Sequence, residues 1–178
     1  TLPAKIPLYR LHHSAISRHF YTISESEKNN AVNAGWTYEN IAGYLYQGQQ
    51  PETYPFYYLY NPASFDYFYT MNGPEKTFAE NSGYVYKGVA GYIHVAQQLN
   101  TQPLYRLFSY DGGHFYTMNA TEKDNAVKNL GYSYEGVAGY MFASQTSAAA
   151  LNLFQTANAL NAIQRVLNEI RKILPALK

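Results

Sequence analysis

A single pattern returns three times along the chain and commits it to a repeat architecture. His19-Phe20-Tyr21-Thr22 is followed by Ser24-Glu25-Ser26-Glu27-Lys28 and then by Gly35-Trp36-Thr37-Tyr38-Glu39. It comes back as Tyr67-Phe68-Tyr69-Thr70, Asn72-Gly73-Pro74-Glu75-Lys76 and Gly83-Tyr84-Val85-Tyr86-Lys87, and again as His114-Phe115-Tyr116-Thr117, Asn119-Ala120-Thr121-Glu122-Lys123 and Gly131-Tyr132-Ser133-Tyr134-Glu135. Pro7, Pro55 and Pro103 lie 48 residues apart and open each copy. A unit this small cannot bury its apolar face alone, so the copies must pack on one another.

Within a copy, two short aromatic and β-branched segments read as an antiparallel hairpin. Ser24-Glu25-Ser26-Glu27 then has the form of a capping box, with the Ser accepting from the Glu amide and the Glu carboxylate reaching back to the cap. Asn72 and Asn119 replace Ser24, with Glu75 and Glu122 three residues on, and Gly35, Gly83 and Gly131 supply the helix stops. Strand alternation resumes after each glycine and is expected to break at a turn such as Glu39-Asn40. The expected fold is α+β and mainly antiparallel β: three pseudo-symmetric repeats, each β-β-α-β-β, closed around an approximate threefold axis. Closure would remove the two unpaired sheet edges that an open array leaves.

The domain is read over 7–142, with repeats at about 7–54, 55–102 and 103–142, and a C-terminal linker and amphipathic helix over 143–178. In that last segment Leu153, Leu160, Ile163, Leu167, Ile170 and Leu174 fall at steps of three and four, and Pro175 is the expected stop. A stripe in this register suits a helical bundle, so a homo-oligomer through residues 151–174 is expected.

Composition removes several function classes. The net charge is +1 with 14% charged residues, so the electrostatic footprint of a nucleic-acid binder is missing. No apolar run reaches the ~20 residues of a membrane span, and no signal-peptide layout opens the chain. Absence of Cys removes disulfides and thiolate metal sites. The 20 Tyr residues serve equally an all-β core and a recognition surface, because the ring is flat and apolar and its tip is polar.

Glu27, Glu75 and Glu122 recur in every copy, but their cap positions account for them without chemistry. His12, His13, His19 and His114 come without a metal-ligand spacing, and the middle copy has Tyr67 where the others have His. No metal and no cofactor is expected. What remains is, in each copy, an aromatic plate beside hydrogen-bonding groups: Arg10, His19, Tyr21, Trp36 and Glu39 in the first, and Arg106, His114, Tyr116, Tyr132 and Glu135 in the third. The middle copy offers Tyr84 and Asp66, but carries Tyr58, Tyr67 and Lys87 where the others have Arg, His and Glu. A sugar needs a ring for its C–H face and acceptors or donors for its hydroxyls.

This motif string resembles the tandem Tyr-Arg-Leu, His-Phe-Tyr-Thr, Gly-Trp/Tyr-x-Tyr-Glu-Gly repeat family, originally of unknown function, found as appendages of secreted bacterial cell-wall hydrolases and in small fungal lectin-like proteins. The resemblance covers residues 7–142 and implies a glycan-binding module acting outside the cell or at its surface, with cytoplasmic storage as the other arrangement. The expected function is a non-enzymatic lectin with multivalent shallow sites, one per repeat, drawn from the twelve residues just named as plates and polar groups. Two alternatives compete: a glycan or cell-wall hydrolase with one asymmetric site around Asp66 or Asp111, and a structural surface protein acting through its C-terminal helix.

Overall fold

Every segment of alternating apolar and hydrogen-bonding residues becomes a strand. The computed structural model describes residues 3–145 and 148–173. Its order is β1 (Lys5–His13), β2 (Arg18–Thr22), α1 (Glu25–Asn33), β3 (Thr37–Tyr46), β4 (Thr53–Asn61), β5 (Asp66–Thr70), α2 (Gly73–Asn81), β6 (Val85–His94), β7 (Thr101–Ser109), β8 (Gly113–Thr117), α3 (Ala120–Asn129), β9 (Ser133–Phe142) and α4 (Ala148–Ile173). The chain forms two compact units, Thr1–Gln145 and Thr146–Lys178.

The first unit is one network of nine antiparallel strands. β1 pairs with β2 and β3, β4 with β5 and β6, and β7 with β8 and β9. The last strands of the three copies then pair with one another at Tyr46 and Tyr92, Tyr44 and Phe142, and His94 and Tyr140. Each copy is therefore β-β-α-β, not β-β-α-β-β. The expected turn at Glu39-Asn40 is a β-bulge inside a continuous strand: Arg10 lies opposite Asn40 and Leu11 opposite Tyr38, so Glu39 is the unpaired extra residue. Lys87 and Glu135 are the extra residues of β6 and β9 in the same way. A bulge re-aims its side chain, and Glu39 and Glu135 are turned toward the Arg and His of their own copy's first two strands.

Ser24, Asn72 and Asn119 cap the helices as their sequence context demands, each accepting from the amide of the Glu three residues on. The second half of the capping box does not form. Ser24, Asn72 and Asn119 give their own amides to Thr22, Thr70 and Thr117 Oγ1 at 3.0 Å. Those hydroxyls in turn donate to Glu27, Glu75 and Glu122. The Thr has taken over the reciprocal capping role, which leaves each carboxylate free to point away from its own helix.

The core holds Leu8, Leu45, Phe56, Ile93, Leu104 and Met141, each buried. At its centre stand Tyr21, Tyr69 and Tyr116, each 1% exposed and packed edge to face with ring centroids 5.5–5.6 Å apart. Edge-to-face contact puts the positive rim of one ring against the negative face of the next.

In the second unit α4 runs 26 residues. Leu153, Leu160, Ile163, Val166, Leu167 and Ile170 are 42–72% exposed. Leu174 and Pro175, expected as the end of the stripe and its stop, lie outside the described residues. Among the described residues no helix is long and apolar enough to cross a membrane.

Candidate functional site

The side chains that could do chemistry gather where one copy meets the next, not within a copy. At the junction of the third and second copies, β7 presents Arg106, β8 presents His114 and the bulge of β9 presents Glu135. The second copy answers with Phe68 and Glu75. Arg106 Nη1 and Nη2 donate to the two Glu75 oxygens at 2.9 and 2.7 Å, and its Nε lies 2.8 Å from Glu135 Oε2. The guanidinium carbon stands 5.2 Å from the centroid of Phe68, a cation–π distance. His114 is fixed from behind by Asp66, whose Oδ2 lies 2.5 Å from Nδ1 and whose Oδ1 accepts the His114 amide at 2.7 Å. Tyr84 donates to the same carboxylate at 2.6 Å. The other ring nitrogen, Nε2, faces Glu135 at 3.6 Å.

Glu75, Tyr84, Arg106, His114 and Glu135 border a hollow of about 260 Å³ whose apolar walls are Phe68, Phe78 and Phe108. Asp66 can reach His114 only because residue 113 has no side chain: a Cβ on Gly113 would sit 2.4 Å from Asp66 Oδ1.

A related hollow of about 400 Å³ lies where the first copy meets the third. Arg10 donates from both Nη atoms to Glu122 at 3.0 Å and holds Glu39 at 2.8 Å through Nε. His19 Nε2 is 3.7 Å from Glu39, and its ring packs 4.7 Å from that of Phe115. No carboxylate backs His19 as Asp66 backs His114, and its Nδ1 is buried without a hydrogen-bond partner. Tyr132 and Asp111 line this hollow.

The junction of the second copy with the first is built otherwise. Tyr58 and Tyr67 stand where Arg and His stand elsewhere, and Trp36 and Phe20 pack on Tyr67 at 5.7 and 4.8 Å between centroids. Rings stand here in place of the ion networks of the other two junctions.

Burial and charge set the protonation states. Burial alone would raise the Glu75 and Glu122 carboxyls, but the hydrogen bonds from Arg106 and Thr70, and from Arg10 and Thr117, hold both below the usual carboxylate range. Burial likewise opposes ionisation of Asp66, and the bonds from His114 and Tyr84 outweigh it. Burial, reinforced by His12 and Arg10, pushes His19 down to about 3, so its ring is neutral at physiological pH. Tyr84 is raised by burial and then by Asp66, and stays a donor.

Of the expected site residues, Arg106, His114, Glu135 and Tyr84 line the smaller hollow with Asp66 behind His114, and His19, Glu39 and Tyr132 line the larger with Arg10 paired to Glu39. Tyr21 and Tyr116 do not belong to either, because both are sealed in the core. Trp36 serves the aromatic junction and not the Arg10 group beside which its place in the first copy had set it. The sequence reading missed Glu75 and Glu122 as partners of the arginines and missed the Phe68 and Phe115 walls. Only the packing of different copies brings them there.

It also missed a set that is the same in all three copies. Tyr9 and Tyr38, Tyr57 and Tyr86, and Tyr105 and Tyr134 meet edge on at 6.0–6.1 Å, under the ammonium groups of Lys28, Lys76 and Lys123. Tyr38, Tyr86 and Tyr134 are 40–45% exposed. Their equal offsets in each copy were a signal available in the sequence.

No curated protein and no solved structure matches the chain. A family model described as Domain of unknown function (DUF5648) matches residues 7–142.

Proposed function

The chain belongs to the DUF5648 family, and from that premise we propose that it is a non-enzymatic carbohydrate-binding protein whose sites lie between copies. The observation that carries this reading is the smaller hollow, where Phe rings form one wall and carboxylate and imidazole atoms the rim. A pyranose offers matching faces, C–H groups to the rings and hydroxyls to the rim. Two such hollows lie at junctions among the described residues, while at the junction of the second copy with the first Trp36 and Phe20 pack on Tyr67. The exposed tyrosines at positions 38, 86 and 134 add three shallow plates. Sites joined in one body gain by effective concentration, which gives the triplication a use. An approximate threefold axis through the tyrosine cluster is part of the proposal, supported by like pairings in each copy. A protein of this kind acts on surfaces outside the cell.

A glycan array followed by calorimetry on the purified chain tests the reading. Saturable binding that weakens at least about tenfold in Phe108→Ala is expected, since base- or sugar-sized stacking on a ring is worth on the order of 1–3 kcal/mol. No saccharide bound, or binding indifferent to Phe108→Ala, Tyr132→Ala and Tyr38→Ala together, rejects it.

A hydrolase reading is favoured by one feature, the imidazole of His114 held between Asp66 and Glu135. It requires release of reducing sugar that disappears in Glu135→Gln.

Assembly through α4 completes the proposal. Leu153, Leu160 and Leu167 recur every seven residues, with Ile163 and Ile170 three positions after the last two, and Leu followed by Ile in this order favours bundles of three or four helices over two. Light scattering of the full chain should give a multiple of the 20.2 kDa monomer that falls in Leu160→Asp with Leu167→Asp. A monomer mass for the unaltered chain rules the bundle out.

A further inference from the structure

Every nitrogen of Arg106 is already committed to a protein carboxylate. Its Nη1, Nη2 and Nε each face a carboxylate oxygen at 2.7–2.9 Å, so this cation has little left for a ligand. The exposed polar atoms at the hollow are then acceptors: Glu75 and Glu135 side chains are 34% and 31% exposed. The charged and titratable groups bordering the hollow are Glu75 from α2, Arg106 from β7, His114 from β8 and Glu135 from β9, with Tyr84 between α2 and β6, and Asp66 from β5 lies buried behind His114. Two lining carboxylates, Glu75 and Glu135, against one guanidinium leave the hollow with an excess of acceptors, and Phe78 and Phe108 line it as aromatic walls. Phe78 lines the hollow and is 73% exposed.

We infer that this hollow takes a ligand bearing a protonated primary amine, an amino sugar on the carbohydrate-binding reading, with the ammonium set between Glu135 and the phenylalanine walls. An anionic saccharide meets the same carboxylates as a repulsion. A neutral one gains the hydroxyl bonds and the ring contact without any charge pairing. The ammonium gains a charge-assisted bond and a cation–π contact together, in a site partly shielded from water. This inference rests on the lectin reading but goes beyond it, since a lectin could equally prefer neutral or acidic sugars.

Calorimetry of the full chain with three probes of equal length decides it: a glucosamine oligomer, its fully N-acetylated counterpart and a uronic-acid oligomer. The amine form should bind at least about tenfold tighter than the acetylated form near pH 6, and the difference should vanish near pH 9, above the about 8 at which a comparable amine loses its proton. Glu135→Gln should remove the preference. Phe78→Ala, at an exposed position where folding is not at stake, should weaken the amine form selectively. Equal or tighter binding of the acetylated or uronic oligomer overturns the inference and leaves the lectin reading standing. Silence of all three probes and of a broad glycan array overturns both.

Discussion

The Tyr21 hydroxyl donates to the Tyr116 carbonyl at 2.7 Å and accepts from the Tyr116 amide at 2.8 Å, so one phenol satisfies both backbone groups of a residue in another copy. Tyr69 does the same for Tyr21, and Tyr116 for Tyr69, closing a ring of six hydrogen bonds. Inner strand residues with no ladder partner on that side would otherwise leave buried amides and carbonyls unpaired.

Tyr21→Phe deletes the hydroxyl and orphans a buried donor and a buried acceptor at once. Each orphan costs about 1–3 kcal/mol, so a loss of about 2–5 kcal/mol is expected, read as a fall in the urea midpoint at constant slope. Tyr69→Phe and Tyr116→Phe should cost similar amounts. The Tyr21→Phe, Tyr69→Phe pair should depart from additivity because the two hydroxyls share a ring.

Acid should weaken the junctions between copies. Glu75 and Glu122 have folded pKa values below their ordinary 4.5, so their ion pairs contribute fully above that value, and the contribution is lost as pH falls through the lowered folded range. Thermal melts in steps below about pH 4.5 should show a shallower acid limb in Glu75→Gln with Glu122→Gln than in the unaltered chain. Identical limbs would mean that the arginines gain nothing from these partners.

His19 acts over a higher window. Its folded value near 3 lies below the ordinary 6.5, so the unfolded chain binds this proton first and stability declines as pH falls from 6.5. The slope contributed by one such group approaches about 1.4 kcal/mol per pH unit. His19→Gln should flatten the stability profile between about pH 6.5 and 4.5, measured by denaturant titration at each pH.

Gly113 has φ +65°, and its missing Cβ makes room for Asp66. Gly113→Ala should cost about 1–2 kcal/mol for the left-handed backbone alone, and more for displacing Asp66 from the His114 amide. Gly131→Ala, at φ +74° with open space around it, should show only the backbone part. Equal midpoints for the two variants would mean that the Asp66 contact contributes no stability.

The sequence by itself determined what depends on neighbours in the chain. Ser24, Asn72 and Asn119 announced three helix starts, and the glycines at 35, 83 and 131 their ends, because caps are local hydrogen bonds and local backbone angles. The repeating aromatic segments announced antiparallel strands for the same reason. The tertiary structure alone decided which carboxylate meets which arginine: Glu122 lies 112 residues from Arg10, and no periodicity encodes a partner across a junction. It also decided that Glu39 and Glu135 leave the strand alternation, since a bulge is a mismatch between two paired strands and is invisible in either one. Trp36 and Tyr21 were drawn to ligand sites by their chemistry, but packing placed one in a filled junction and the other at the centre of the core. Local sequence fixes backbone conformation over a few residues, whereas a binding hollow is the space left between surfaces that meet only when the copies pack.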